Sequence, residues 1–82
     1  MFDKIKQLAQ MKSLQDSIKQ EKVEVIKEGV RIVLRGDFSI EEINLNPDLA
    51  IEKQQEILKE CLNDGMKKVQ MLAAQKLSGL MG

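Results

Sequence analysis

Three features of the amino-acid sequence predict an α+β fold in which a helix, a three-stranded antiparallel meander and a long second helix follow one another. Between Val23 and Pro47, Val, Ile and Leu recur at alternate positions, broken at Gly29 and at Gly36-Asp37, which is the spacing of half-buried strands. The flanking segments instead repeat their apolar residues every three or four positions and hold few turn residues, the mark of helices. Third, a chain of 82 residues makes a single domain, 1–82. Its core is small enough that a second subunit is expected to complete it.

The first helix is expected over about residues 2–20, where Phe2, Ile5, Leu8, Ala9, Met11, Leu14 and Ile18 keep helical spacing without Gly or Pro. Several of these steps are three residues, so the apolar stripe drifts around the axis and is broad. The helix should therefore touch more than one neighbour.

The strands are expected at about 23–28, 30–35 and 40–46. Val30, Ile32 and Leu34 share one face of the second strand, with Arg31, Val33 and Arg35 opposite. Gly29 supplies the first turn. Gly36-Asp37 marks the next, since Gly permits positive φ and Asp bonds backbone nearby. Ile43 and Leu45 align with Ile32 and Val30 across a four-residue loop, but Ile40 falls out of phase with Ile43. A bulge near Glu41-Glu42 would absorb the extra residue.

Asn46-Pro47-Asp48 suits a helix start, with Asn as cap, Pro preorganised for the first position and Asp at the positive end of the dipole. The second helix is expected over about 48–78, with Ile51, Leu58, Cys61, Leu62, Met66, Val69, Leu72 and Leu77 at helical spacing. Some thirty residues at roughly 1.5 Å each overhang a three-stranded sheet only about 15 Å wide. Gly65 interrupts this helix at a cost of roughly 1 kcal/mol relative to Ala, and two readings stand: close approach of another helix, or a tolerated glycine. The dimer interface is expected to comprise Val30, Ile32, Leu34, Ile43, Leu58, Leu62, Gly65 and Val69.

Composition removes several classes of chemistry. There is no His, one Cys and no Gly-rich phosphate loop, so zinc sites, His-based acid–base catalysis and nucleotide hydrolysis lack their usual parts. No enzymatic activity, metal, cofactor or small-molecule substrate is expected. Cys61, among apolar residues at helical spacing, reads as a small buried side chain. No apolar run approaches the ~20 residues of a bilayer span, and charges interrupt residues 1–20 where a signal peptide needs an apolar core. A cytoplasmic location without a membrane partner is expected.

The formal net charge is zero but unevenly spread. Residues 1–22 carry five basic and three acidic side chains, residues 23–66 five and ten, and residues 67–82 three basic and none acidic. Basic charge thus sits at the two ends. With one helix running into the sheet and the other out of it, the start of the first can lie beside the end of the second, forming a basic arm able to contact DNA phosphates. Lysines near a helix C-terminus also simply complement its dipole. Phe2 and Phe38 are the only aromatics, so a stacking platform for single strands is absent and helix-turn-helix spacing does not occur.

The order of parts and several local strings resemble the YbaB/EbfC family of nucleoid-associated proteins. The carrying residues are Leu8-Ala9-Gln10-Met11, the strand Val30–Leu34 ending at Gly36, Ile43-Asn44-Leu45-Asn46-Pro47-Asp48-Leu49, and Leu62-Asn63-Asp64 followed by Lys67-Lys68. The likeness spans nearly the whole chain. The chain departs from the family pattern in having only Gly29 where a longer Gly-rich loop is usual, a shorter segment after Pro47, and Gly65 where Ala is typical. The resemblance implies a tweezer-like homodimer binding double-stranded DNA with little sequence preference in the nucleoid. Lys4, Lys6, Lys12, Lys67, Lys68 and Lys76 are then the candidate phosphate contacts, with Arg31 and Arg35 in second line. A rival reading is a protein-interaction or scaffold module associated with replication or recombination machinery, its contact surface marked by Met66, Met71 and Met81.

Overall fold

The structure, a computed structural model, describes residues 2–81, with side chains from residue 9 to residue 79. Its elements are α1 (Phe2–Gln20), β1 (Lys22–Lys27), β2 (Val30–Arg35), β3 (Ile40–Asn44) and α2 (Ile51–Met81). The three strands form an antiparallel sheet in the order β1-β2-β3. The α-β-β-β-α order and the meander are as the apolar periodicity predicts.

The two hairpins use different turn chemistry. Lys27 pairs with Val30 across a two-residue turn in which Glu28 and Gly29 both have positive φ, +47° and +83°, the twist that suits a tight hairpin. The second turn corrects the role expected for Gly36. Positive φ falls on Phe38, at +67°, and not on Gly36. Phe38 N–H bonds the Arg35 carbonyl at 3.0 Å and Arg35 N–H bonds the Ser39 carbonyl at 2.8 Å, so an aromatic residue occupies a loop position that usually takes Gly. Asp37 accepts bonds from the Ser39 backbone and hydroxyl, which hold its carboxyl below the usual carboxylate range. Gly36 is required for another reason: a Cβ there would collide with the carbonyl oxygen of Ile18 at the end of α1.

The bulge lies where phase predicts it. Val33 faces Glu42 and Leu34 faces Ile40, leaving Glu41 as the extra residue. Two rows cross the inner face of the sheet, Val25–Ile32–Ile43 and Val23–Leu34–Ile40. α2 packs on β1 and β2, and the β1 and β2 members of both rows join the core with Val30, Ile57, Cys61 and Val69. β3 is exposed along its whole length, Ile40 at 48% and Ile43 at 43%, as is Leu45 just after it at 53%. A core place for Ile43 is therefore not what the single chain provides.

Three other expectations are revised by this packing. Gly65 approaches β2 and not another helix, since a Cβ would collide with Leu34 Cδ1 and lie 3.2 Å from Ile32 Cδ1. Val30, Ile32, Leu34, Gly65 and Val69 are all enclosed by their own chain, which leaves them no surface for a second copy. The helix start also shifts. Asn46 Oδ1 accepts from Asp48 N–H at 3.0 Å and the Asn46 carbonyl from Leu49 N–H at 3.2 Å, as a cap would, but the chain completes one turn only. The first bond of α2 runs from Gln54 N–H to the Ala50 carbonyl at 2.8 Å. Asn46 instead joins three pieces: its side-chain amide donates to the Glu28 carbonyl at 2.9 Å and its N–H to Gln54 Oε1 at 2.6 Å.

α1, like β3, has little cover among its described side chains. Of its described apolar side chains, Leu14 and Ile18 are half-buried, while Ala9 and Met11 are exposed, so the described half of the stripe finds little cover within the chain; Phe2, Ile5 and Leu8 lie outside the described side chains. The molecule is 60 Å long and 13 Å thin, with a radius of gyration of 16.7 Å, against about 12 Å for a compact chain of this length. A straight helix of 31 residues, the length of α2, spans about 46 Å.

Candidate nucleic-acid interface

The distribution of ion pairs separates two kinds of surface. On the outer face of the sheet Arg31 Nε lies 2.7 Å from Glu24 and its Nη1 2.8 Å from Glu42, Lys22 lies 3.0 Å from Glu41, and Arg35 Nε lies 3.4 Å from Glu41. Three cations thus meet three carboxylates above Val33, which they help to bury. The electrostatics follow the geometry. The bonds to Glu42 and then Glu24 push the Arg31 guanidinium up, Lys22 and Arg35 hold the Glu41 carboxyl below its usual range, and Arg31 with Asn44 does the same for Glu42. The second-line candidates Arg31 and Arg35 are therefore both engaged.

Two further pairs tie α2 to the sheet. Lys27 contacts Asp64, raising the lysine and lowering the carboxyl, mainly through that hydrogen bond. Lys53 lies 3.8 Å from Glu28 beside the first hairpin. Lys76, near the far end of α2, reaches α1: its ammonium is 2.8 Å from Glu21 Oε1 and donates to Ser17 Oγ at 2.9 Å.

Among the described residues, the cations outside these pairs are Lys12 and Lys19 on α1 and Lys59, Lys67 and Lys68 on α2, all exposed. Every one is helical. The side chains of Lys4 and Lys6 lie outside the described residues. Lys19 and Lys59 are additions to the set expected from sequence. They stand among acids such as Asp16, Glu56 and Glu60, and nothing in the order of residues tells a paired lysine from a free one.

The layout differs from the expected arm. The end of α2 meets the end of α1 at Ser17 and Glu21, not its start, so Lys12 and Lys67-Lys68 stand apart along the long axis. Eight residues from Lys68 to Lys76 and five from Ser17 to Lys12 separate them by about 20 Å at helical rise. The free lysines are thus spread along the two helices and not gathered at one tip. Lysines spread over such a length can reach several phosphates of a duplex backbone, where charge repeats every few ångströms.

A second surface is apolar. On α2, Leu62 and Met66 each lie two positions from Asp64, and residues two apart point to opposite sides of a helix. Asp64 points toward β1 through Lys27, so Leu62 and Met66 point toward β3, above the exposed Ile40, Ile43 and Leu45. Met66 is exposed and Leu62 half-buried, with Leu58 also only partly covered. β3 and this flank of α2 form an open apolar step. Cys61 closes the inner side of it, its sulfur 4.0 Å from the Val30 carbonyl and its thiol pushed up by burial.

No helix among the described residues is long and apolar enough to cross a membrane. A sequence model of the YbaB/EbfC DNA-binding family matches residues 1–82. No curated protein and no solved structure matches the chain.

Proposed function

Because the chain belongs to the YbaB/EbfC DNA-binding family, we propose that it is a non-enzymatic protein of the cytoplasmic nucleoid that binds double-stranded DNA as a homodimer, through phosphates and with little sequence preference. One observation carries this reading. The described cations left without a carboxylate all lie on the two helices, whereas those of the sheet are all paired. Lys12, Lys67 and Lys68, with Lys4 and Lys6 on the same α1, are the first-line contacts, and Lys19 and Lys59 add to them. Arg31 and Arg35 reach phosphate only by giving up Glu24, Glu41 and Glu42. The open step of β3 and α2, with Ile43, Leu58 and Leu62, is the surface for the second copy.

Gel shifts with duplexes of unrelated sequence across a salt series test the reading. Affinity should be similar for all duplexes and fall linearly in log Kobs against log salt. Absence of binding at low salt would sink it. A second reading, a protein-interaction module, is favoured by the exposure of Met66 and Met71 on α2, since methionine adapts to varied partners. Met81 lies outside the described side chains. Partners that remain bound after nuclease treatment would support that alternative.

A further inference from the structure

Lys76 differs from the other described candidate lysines in having two partners at the end of the other helix, Ser17 Oγ on α1 at 2.9 Å and Glu21 Oε1 just after it at 2.8 Å. Its side chain is 26% exposed, less than that of any other described ion-paired lysine. Glu21 is itself a junction. Its N–H bonds the Ile18 carbonyl at 3.1 Å, ending α1, and its own carbonyl accepts from Gly36 N–H at 2.9 Å, fixing the chain to the end of β2. Gly36 in turn has no room for a side chain because the Ile18 carbonyl fills that space. Three elements therefore converge on residues 17–21, 36 and 76. Beyond them the described side chains of α1, from Ala9 to Asp16, are exposed apart from the half-buried Leu14, so the direction of the helix depends on this joint.

We infer that Lys76 is a positioning residue that ties α1 to α2 through Glu21 and Ser17 and so sets how the two lysine-bearing helices stand to one another, and that it is not itself a phosphate contact. Its bonds to Ser17 on α1 and to Glu21 just after it point the ammonium at the joint. Using it on DNA would release the helix that carries Lys12. The second half of the inference rests on the proposed DNA binding; the first does not.

The test combines a distance with a salt slope. Spin labels at Gln10→Cys and Gln70→Cys, in a Cys61→Ala chain diluted into excess unlabelled protein, report the separation of α1 and α2 within one chain without DNA. Lys76→Met and Glu21→Gln should each broaden the distance distribution, the double variant should be no broader than either, and the exchanged pair Glu21→Lys/Lys76→Glu should narrow it again. Unchanged distributions in both single variants would overturn the positioning role, whether or not the protein binds DNA. With duplex, Lys76→Met should leave the slope of log Kobs against log salt unchanged. A slope shallower by about 0.9, the value of one lost phosphate contact, would overturn the second half. Circular dichroism confirms that each variant is folded.

Discussion

The carbonyl oxygen of Ile18 occupies the space that a side chain at Gly36 would need, so the end of α1 rests directly on the backbone leaving β2. Gly36→Ala has no flexible side chain to displace and must move the helix. A loss of about 2–3 kcal/mol is expected, the upper range of overpacking, read as a fall in urea midpoint. Gly79→Ala provides the contrast. Nothing lies within 4 Å of its Cβ position, and helix propensity alone should raise stability by up to about 1 kcal/mol.

Gly65→Ala sets two effects against each other. The helix gains about 1 kcal/mol, but the new methyl meets Leu34 Cδ1 in a filled core, at about 1–3 kcal/mol. A net loss of about 1 kcal/mol is expected. Shortening the opposing side chain with Leu34→Val should make the double variant less unstable than the sum of the two. Additivity would place the obstruction elsewhere.

Acid should weaken the fold through a definite group of carboxylates. Asp37, Glu41, Glu42 and Asp64 are all held below their usual values, by Ser39, by Lys22 and Arg35, by Arg31, and by Lys27 respectively. Their protons are taken up more readily by the unfolded chain. The stability they contribute is complete above the ordinary carboxylate range near about pH 4, and is lost as pH falls through the depressed folded-state values. Urea midpoints from neutral pH downward should trace this decline, and Asp64→Asn should flatten it.

Removing charge from the helices and from the sheet should have unequal effects on DNA binding. Lys67→Gln/Lys68→Gln should make the salt slope shallower by about 1.8, two contacts at about 0.9 each. Arg31→Gln and Arg35→Gln should each change it by well under one, because their guanidinium groups already have carboxylate partners. Equal slopes for all these variants would remove the distinction between the two surfaces.

Self-association should respond to Ile43 and not to Ile26. Both are exposed in the single chain, at 43% and 58%, but Ile43 pairs with Ile32 on the inner face beside Leu62 and Met66, and Ile26 lies opposite Arg31 on the outer face. Ile43→Lys should shift sedimentation equilibrium toward monomer, with Ile26→Lys as the unaffected control. A dimer that survives Ile43→Lys would place the interface elsewhere.

The element order, the inner face of β2 and the bulge at Glu41 are legible in the sequence because each depends on a period that neighbouring residues share. The phase slip between Ile40 and Ile43 is a fact about residue order, and only an extra residue on one strand resolves it. The two glycines at 36 and 65 are visible as anomalies, but their reason is a distant contact, with Ile18 in one case and Leu34 in the other. Asn46 shows the same limit: its capping chemistry is local and present, yet whether one turn continues into a helix depended on bonds to Glu28 and Gln54.

The sequence by itself determined where charge is concentrated and which faces are apolar, since both follow from side-chain type and backbone period. Tertiary structure decided which of those charges remain available and which apolar faces remain bare. Ion pairing acts over a few ångströms between residues as far apart as Glu21 and Lys76, and α2 covers two strands of three, so Arg31, Arg35 and Lys76 are engaged while Lys67, Lys68 and the β3 side chains stand open.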